Sequence, residues 1–121
     1  MFKTVLYIED NLYSRLLVKR ILEAKNIAVV EAENGLKGVS QAERLCPDLI
    51  IIDLNLPDID GYEVAKRLRR MPQLLETPII ALTANATKEI DQEKTLAVGY
   101  NGYIQKPIDT ESLQKQIAAF L

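Results

Sequence analysis

The stretch Leu49-Ile50-Ile51-Ile52-Asp53 has four apolar residues in succession followed directly by an acid. A short run that is apolar at every position is typical of a parallel strand covered by helices on both faces. Similar runs recur along the chain of 121 residues. The predicted strands lie near Val5–Ile8, Ala28–Ala32, Leu49–Ile52, Ile79–Leu82 and Gly102–Ile104. Between them, apolar residues recur every three or four positions, which indicates alternating strand–helix units.

Two helices are predicted in the first half of the chain. The spacing in the first helix places one set of residues on its buried face: Tyr13, Leu17, Ile21 and Ala24. The second helix runs from about Gly35 to Leu45. It ends before Pro47, because the residue that precedes a proline is disfavoured in a helical conformation.

Three further helices are predicted. Asp60 and Glu63 form a capping-box-like pair at the start of the third. Its predicted buried stripe is Val64, Leu68 and Met71. The fourth helix, near Lys88–Val98, is weakly amphipathic. The last begins near Asp109, an N-cap candidate. Its predicted buried residues are Leu113, Ile117 and Phe120.

The alternation of five strands and five helices favours an α/β fold with right-handed crossovers. The common arrangement for this count is a flavodoxin-like (βα)5 three-layer sandwich, whose parallel sheet has the strand order 2-1-3-4-5. We expect one domain, 1–121, because this length and a 48% hydrophobic composition suit a single core. Such folds bind ligands outside the carboxyl ends of the first and third strands.

Composition excludes several classes of function. The net charge is −2, from 15 basic and 17 acidic residues, and no basic block is present, so direct nucleic-acid binding is not expected. No apolar stretch approaches the roughly 20 residues of a membrane span and no signal-like segment is seen, which predicts a soluble, cytoplasmic protein. The one cysteine, Cys46, is expected to pack beside Pro47. The absence of histidine excludes histidine nucleophiles, bases and zinc ligands.

Three acids and one lysine follow the apolar runs. Glu9 and Asp10 come after the first run, Asp53 after the third and Lys106 after the fifth. If these runs are neighbouring parallel strands, the four side chains meet in one pocket. Crowded carboxylates are relieved by raised pKa values or by a cation, and oxygen ligands favour a hard ion such as Mg²⁺. A single acid at a strand end is more often a solvated loop residue, but convergence with a lysine favours a magnesium and phosphoryl site.

Asp53 can also act as a nucleophile and form an acyl phosphate. The strand before it fixes the carboxylate, and the turn after it leaves room for a phosphodonor. Lys106 and a hydroxyl could hold the phosphoryl oxygens. Thr83, which precedes the small residue Ala84, is the candidate hydroxyl, although a threonine there is more often an ordinary strand-end residue.

In this order and at this spacing, these residues resemble the receiver (CheY-like) domain of two-component response regulators over essentially the whole chain. The matching segments are Glu9-Asp10-Asn11, Asp53 with Leu56-Pro57 and Asp60-Gly61, Thr83-Ala84, and Lys106-Pro107 preceded by Tyr103. The chain differs from the usual pattern at Tyr100, where a small residue is more common, and at Leu56, which replaces a methionine. Neither residue is expected to touch the proposed chemistry.

The resemblance implies a role for each site residue. Asp53 is the phosphoacceptor, and its donor is a phosphohistidine on a sensor histidine kinase or a histidine phosphotransfer protein. Asp10 and Asp53 ligate Mg²⁺ through their side chains, Asn55 through its backbone carbonyl and Glu9 through water. Lys106 pairs with Asp53 before the reaction and with the phosphoryl group afterwards.

The resemblance also implies a switch. After phosphorylation of Asp53, Thr83 moves to donate to a phosphoryl oxygen and vacates space that Tyr103 fills from the surface. This change biases an equilibrium on the face made by the fourth helix, fifth strand and fifth helix, which contacts a downstream protein. The alternative for Tyr103 is a half-exposed aromatic on an edge strand. The peptide bond of Lys106-Pro107 is expected to be cis.

The expected function is a phosphoacceptor switch of a two-component or phosphorelay system, with no enzymatic activity beyond self-catalysed phosphorylation and dephosphorylation of Asp53. Met1 and the helical end at Leu121 favour a stand-alone regulator over a receiver fragment of a hybrid kinase or larger regulator. A flavodoxin-like carrier is less favoured, because Glu9-Asp10-Asn11 would repel a phosphate. Asn55 disfavours an aspartyl-phosphate hydrolase, which needs a second acid there. Dimerisation on phosphorylation is left open.

Overall fold

A computed structural model of the chain describes residues 3–84 and 92–121, with the backbone alone for residues 92–94. Its strands are β1 (Lys3–Ile8), β2 (Ile27–Ala32), β3 (Leu49–Asp53), β4 (Ile79–Thr83) and β5 (Gly102–Gln105). Its helices are α1 (Leu12–Glu23), α2 (Gly35–Leu45), α3 (Gly61–Arg69), α4 (Gln92–Ala97) and α5 (Thr110–Phe120). A short 3-10 turn, Pro72–Leu74, precedes β4.

The strands form one parallel sheet in the order β2-β1-β3-β4-β5. Strand β1 is therefore adjacent to β3, with Ile8 opposite Ile52, and β4 lies between β3 and β5. This topology confirms the predicted flavodoxin-like fold. It also places the carboxyl ends of β1, β3 and β4 side by side.

Strands β3 and β4 are buried along their whole length, because helices cover both faces of the sheet. One core cluster joins Ile50 and Ile52 to residues of α2 and α3. The other joins Leu49 and Ile51 to residues of α1 and α5. Alternate residues of one strand thus enter different clusters, as the two-residue period of a strand requires. The predicted three-layer arrangement is confirmed.

In the described part of the chain, four helices begin with a side-chain cap. Each cap accepts a hydrogen bond from the backbone N–H three residues on, which satisfies one of the free donors of the first turn. The caps are Asn11 of α1, Asn34 of α2, Asp60 of α3 and Asp109 of α5. The predicted starts at Asp60 and Asp109 are confirmed. The carboxylate of Glu63 accepts a hydrogen bond from Nε of Arg67 at 3.1 Å.

Helix α1 buries a different face from the predicted one. Its buried residues are Val18, Ile21 and Leu22. Tyr13 is 82% exposed and Leu17 is 41% exposed, and Ala24 is exposed at the helix C-cap. The prediction was wrong for these three residues, because α1 carries apolar side chains around most of its circumference and spacing alone does not select a face.

Smaller differences concern the ends of helices. Met71 lies beyond α3 and is half-buried against the α2 and α3 cluster, while Phe120 is half-buried against the other cluster. Cys46 is exposed, with a φ of 45° at the C-cap of α2, and Pro47 is buried in its place, so the predicted packing of Cys46 was wrong. The predicted fourth helix overlaps α4, and residues 88–91 lie outside the described part of the chain.

Within residues 3–84 and 92–121, no helix is both long enough and apolar enough to cross a membrane.

The amino end of the sheet is fixed by Arg69, the last residue of α3. Its guanidinium donates to the carbonyl oxygens of Leu74 (2.7 Å), Thr77 (2.7 Å) and Gly99 (2.8 Å). It also donates to Oδ1 of Asn101 at 2.9 Å. Gly99 has a φ of 103°, and a Cβ there would lie 2.7 Å from the Arg69 side chain, so glycine suits this position. These contacts hold the segments that lead into β4 and β5.

Candidate functional site

The three predicted acids meet at the carboxyl end of the sheet. Glu9 follows β1 and Asp53 ends β3, and these strands are neighbours in the sheet. One carboxylate oxygen from each of Glu9, Asp10 and Asp53 lies within 4.8 Å of the other two. Glu9 and Asp53 are buried, whereas Asp10 is exposed. The pocket therefore has two acids at its base and one at its rim.

Lys106 reaches the same pocket from the end of β5. Its Nζ donates to Oε1 of Glu9 at 2.8 Å and to Oδ2 of Asp53 at 2.9 Å. The backbone N–H of Lys106 donates to the carbonyl oxygen of Thr83 at 2.7 Å, which attaches the start of the β5–α5 loop to β4. The peptide bond between Lys106 and Pro107 is cis.

The second oxygen of Asp53 is held by the backbone. Its Oδ1 accepts a hydrogen bond from the N–H of Asn55 at 2.9 Å. The N–H of Leu54 donates to the carbonyl oxygen of Leu82 at 3.0 Å, which extends the pairing of β3 with β4 beyond the strand end. Because each Asp53 oxygen has a donor of its own, the carboxylate plane is fixed.

Burial and charge shift the proton affinities of this pocket. The pKa of Glu9 is raised from 4.5 to about 7, first because burial disfavours its charged form and then because of its hydrogen bond with Asp53. Lys106 acts in the opposite direction on Glu9. For Lys106 itself, burial lowers the pKa, but its hydrogen bonds to Glu9 and Asp53 outweigh burial, and the net pKa is raised. The pocket thus concentrates negative charge that one ammonium group only partly balances.

The donor set fits a hard cation. All three converging ligand atoms are carboxylate oxygens, a chemistry that suits ions such as magnesium or calcium rather than zinc or copper. One ammonium group, Lys106, faces the three acids, so a divalent cation would reduce the remaining repulsion between them. The residues present could therefore hold a divalent metal ion.

A family profile, described as the response regulator receiver domain, matches residues 5–118. The chain belongs to the response regulator receiver domain family. Receiver domains are signalling phosphoacceptors and not classical enzymes, which sets aside the flavodoxin-like carrier and the hydrolase.

Similar receivers come from several bacteria. The polar-differentiation response regulator DivK of Brucella anthropi is 36% identical over 121 residues, which are 100% of this chain and 98% of that protein. The chemotaxis protein CheY4 of Vibrio cholerae has a TM-score of 0.94 at 30% identity, and the match covers 100% of both chains. The receiver domain of sensor histidine kinase PA1611 of Pseudomonas aeruginosa has a TM-score of 0.91 at 32% identity, covering 99% of this chain and 98% of that one. That structure has a magnesium ion coordinated in its active-site cleft.

The receiver pocket also contains a tyrosine that the sequence analysis missed. The O–H of Tyr7 donates to Oε1 of Glu9 at 3.1 Å. Burial first, and then the charge of Glu9, raise the pKa of Tyr7, so its phenol stays a neutral donor. A signal was present in the sequence, because residues two apart on a strand point to the same face.

An arginine from α1 supports the acidic loop. Nη1 of Arg15 donates to the carbonyl oxygens of Glu9 (2.8 Å) and Asp10 (3.1 Å). This contact was not predicted from the sequence either. The available signal was a basic residue in the first turn of the helix that follows the acids.

The loop after the proposed phosphoacceptor is attached to α2. The carboxylate of Asp58 accepts hydrogen bonds from the N–H groups of Gly35 and Leu36, both at 2.8 Å. Slight burial would raise the pKa of Asp58, but the backbone hydrogen bonds outweigh it, and the net pKa is lowered. Asp58 thus satisfies two donors at the N-terminus of α2 that Asn34, which bonds to Lys37, leaves free.

Tyr100 reaches the end of the same loop. Its O–H donates to the carbonyl oxygen of Gly61 at 2.7 Å, and its ring packs edge-on against Tyr62 with 6.4 Å between centroids. Gly61 is the first residue of α3, so Tyr100 contacts the helix that the Asp53 loop leads into. A small residue at this position would leave this carbonyl contact unmade.

The two predicted switch residues lie in different environments. Thr83 is buried at the end of β4, opposite Gln105 of β5, and next in sequence to Leu82, which pairs with Asp53. Tyr103 lies on β5, an edge strand, and is 38% exposed. Thr83 therefore adjoins the pocket. The partial exposure of Tyr103 is expected both of a switch residue and of an ordinary half-exposed aromatic on an edge strand.

Proposed function

We propose that this receiver domain, 1–121, is a phosphoacceptor switch in which Asp53 carries the phosphoryl group. The observation that carries the proposal is the position of the Asp53 carboxylate. It is buried, it is held by Lys106 and by the N–H of Asn55, each at 2.9 Å, and it lies inside a cluster of three acids. A carboxylate fixed in this way can attack along one direction and keep a cationic group beside its product.

Magnesium is the proposed metal. Asp10 and Asp53 would hold it through their side chains, Asn55 through its backbone carbonyl and Glu9 through water. Magnesium typically takes one or two carboxylates and retains several waters, which suits one exposed and two buried acids. When bound, the ion supplies positive charge that reduces the repulsion between the carboxylate and the incoming phosphoryl group.

In the proposed reaction, an oxygen of Asp53 attacks the phosphorus of a phosphohistidine on the donor protein. The new O–P bond forms as the P–N bond breaks. The electron pair of the P–N bond stays on the imidazole nitrogen, which takes a proton from solvent. Lys106 then transfers its hydrogen bond from the carboxylate to a phosphoryl oxygen, and the hydroxyl of Thr83 donates to another. Attack by water on the phosphorus later restores Asp53.

The donor is a sensor histidine kinase or a histidine phosphotransfer protein, and we place its docking surface on α1. This helix begins immediately after the acidic loop, so its first two turns border the pocket. The exposed apolar residues there are Leu12 (54%), Tyr13 (82%) and Leu16 (50%). Exposed apolar side chains in a cluster mark surfaces that bind other proteins.

The output surface is the face of α4, β5 and α5. Leu96 on α4 is 69% exposed and Tyr103 on β5 is 38% exposed, so this face offers apolar contacts to a downstream protein. Movement of Thr83 toward the phosphoryl group would free space for Tyr103 and change that face. The proposal includes a cytoplasmic location and holds equally for a stand-alone regulator and for the receiver of a larger kinase.

Labelling with a small phosphodonor tests the assignment of Asp53. Acetyl phosphate with Mg²⁺ should add one acid-stable, base-labile phosphoryl group per chain, because an aspartyl phosphate has these properties. The substitution Asp53→Asn or removal of metal with EDTA should abolish the label, measured by mass spectrometry of the intact protein.

A matched control is Asp48→Asn at the opposite end of β3. Asp48 is exposed and accepts a hydrogen bond from the N–H of Thr4 at 2.8 Å, far from the pocket along the strand. This variant should be labelled like the unmodified protein. Labelling that survives Asp53→Asn would assign the phosphoryl group to another residue.

A further inference from the structure

Arg15 of α1 lies between the acidic loop and a carboxylate of β2. Its Nη1 bonds to the carbonyl oxygens of Glu9 and Asp10, at 2.8 and 3.1 Å. Its Nε lies 3.6 Å from Oε1 of Glu31, and the Arg15 side chain is 14% exposed. One planar guanidinium thus contacts both peptide units from which the first two acids project.

Glu31 keeps this guanidinium facing the loop. Its Oε1 is buried and accepts no hydrogen bond from any residue of the described chain, so the charge of Arg15 is its nearest compensation. A buried carboxylate oxygen without a cation nearby would be costly. The pair therefore holds the Arg15 side chain across the gap between α1 and β2.

The helix itself does not need this contact. The cap of α1 is Asn11, whose side chain accepts from the N–H of Ser14 at 3.0 Å. The carbonyls of Glu9 and Asp10 precede that cap, so Arg15 bonds to the loop and not to the helix. Its planar set of donors can fix the orientation of two peptide units at once, which a lysine ammonium group cannot reproduce.

We infer that Arg15 is a positioning residue for the divalent-cation site. This inference rests on the proposed function, since the site is the one assigned to magnesium above. Arg15 fixes the backbone of Glu9 and Asp10, and the backbone fixes the directions of their side chains. A cation then binds to carboxylates that are already oriented. Its affinity is not reduced by the entropy cost of ordering the loop.

Isothermal titration of the full chain with Mg²⁺ tests this role. Arg15→Ala should raise the Kd for Mg²⁺ by about tenfold, the lower end of the effect of removing a supporting contact at a metal site. Arg15→Lys keeps the charge and one donor direction, and should have an intermediate Kd. The control is Lys19→Ala, because Lys19 also pairs with Glu31, at 4.0 Å, from the next turn of α1. Its Kd should stay within about twofold of the unmodified protein.

Acetyl phosphate labelling provides a second measurement. Arg15→Ala should need more Mg²⁺ for half-maximal labelling, while its rate at saturating Mg²⁺ stays within about threefold of the unmodified rate, because Asp53 and Lys106 are unchanged. General destabilisation of the fold would also lower the rate at saturating Mg²⁺, and so would not change the Mg²⁺ requirement alone. If Arg15→Ala does not fold, Arg15→Gln and Arg15→Lys decide the question by the same titration.

The outcomes separate the two proposals. If the unmodified protein binds Mg²⁺ and is labelled while the Arg15 variants match Lys19→Ala, Arg15 has no positioning role and only this inference fails. If the unmodified protein neither binds Mg²⁺ nor accepts a phosphoryl group, the proposed function fails and the inference fails with it.

Discussion

Glu9 has no exposed surface, yet its carboxylate belongs to the most charged part of the molecule. Oε1 accepts from both Tyr7 and Lys106, at 3.1 and 2.8 Å. These two donors do not offset the cost of burying the charged form, to which the nearby Asp53 adds, and the pKa rises to about 7. Near neutral pH the Glu9 carboxyl is therefore poised between its neutral and charged forms.

This pKa predicts how stability depends on pH when no metal is present. The folded pKa of about 7 lies above the unfolded value of 4.5, so the folded state binds this proton more tightly. The contribution of Glu9 is complete below about pH 4.5 and is lost as pH rises through 7, by at most about 3.5 kcal/mol at roughly 1.4 kcal/mol per pKa unit. Urea unfolding at pH 5 and pH 8 in EDTA measures the difference.

The Glu9→Gln variant should show less of this loss, because an amide does not titrate. Glu33→Gln is the control, since it removes the same charge from an exposed carboxylate whose pKa is lowered by Lys37. An unchanged difference between pH 5 and pH 8 in Glu9→Gln would show that another group is responsible. Saturating Mg²⁺ should reverse the trend in the unmodified protein, because the cation favours the charged form.

Among the four helices whose N-terminal caps the structure describes, α2 has the most heavily capped start. Asn34 satisfies the N–H of Lys37, and Asp58 satisfies those of Gly35 and Leu36. The second cap comes from the loop between β3 and α3, so the start of α2 and the loop after Asp53 stabilise each other.

Replacing Asp58 with alanine should destabilise the protein by about 1 kcal/mol, the usual effect of losing an N-cap. Thermal unfolding at pH 7 measures this loss. Because the folded pKa of Asp58 is lowered, the contribution should be present above about pH 4 and disappear on further acidification. Asp58→Asn, which keeps an acceptor without the charge, should lose less. An Asp58→Ala protein as stable as the unmodified one would show that solvent replaces the cap.

Some of these elements could be predicted from the sequence and others could not. The strands and α2 were predictable, because buried parallel strands are continuously apolar and Pro47 limits the helix. The face of α1 was not, because Leu12, Leu16 and Leu17 remain exposed despite their apolar character. The face of α1 that packs against β2 lies beside Arg15 and Lys19. In the sequence, only Glu31 on β2 indicates this face, because both basic side chains pair with it.

For the site, the predictable part was the convergence of Glu9, Asp10, Asp53 and Lys106, since parallel topology brings strand ends together. The supporting contacts of Tyr7 and Arg15 were not predicted. They depend on side-chain directions and on the packing of α1, which a pattern of apolar spacing does not contain.

In the whole molecule, the two ends of the sheet have different roles. The carboxyl end carries the acids, and the amino end is held by the guanidinium of Arg69. Since Arg69 bonds to the segments before β4 and β5, it joins the third helix to the half of the sheet that leads to Thr83 and Lys106.

Arg69→Ala should destabilise the fold by about 3 kcal/mol, because it removes several charge-assisted hydrogen bonds, including those to the carbonyl oxygens of Thr77 and Gly99. Chemical unfolding measures the loss. The control is Arg70→Ala, an exposed arginine at the next position, which should change stability by less than about 0.5 kcal/mol. Equal stability of the two variants would show that water replaces Arg69 without loss.

The chain contains no tryptophan and five tyrosines, which gives the buried phenol of Tyr7 a practical use. Its hydroxyl donates to Glu9, so any event that changes the charge on that carboxylate also changes the electronic surroundings of the ring. Cation binding or phosphorylation should therefore alter the near-ultraviolet absorbance and emission of the protein. The domain would therefore report these events through its own tyrosine signal without an added label. Tyr7→Phe should remove this change in absorbance and emission.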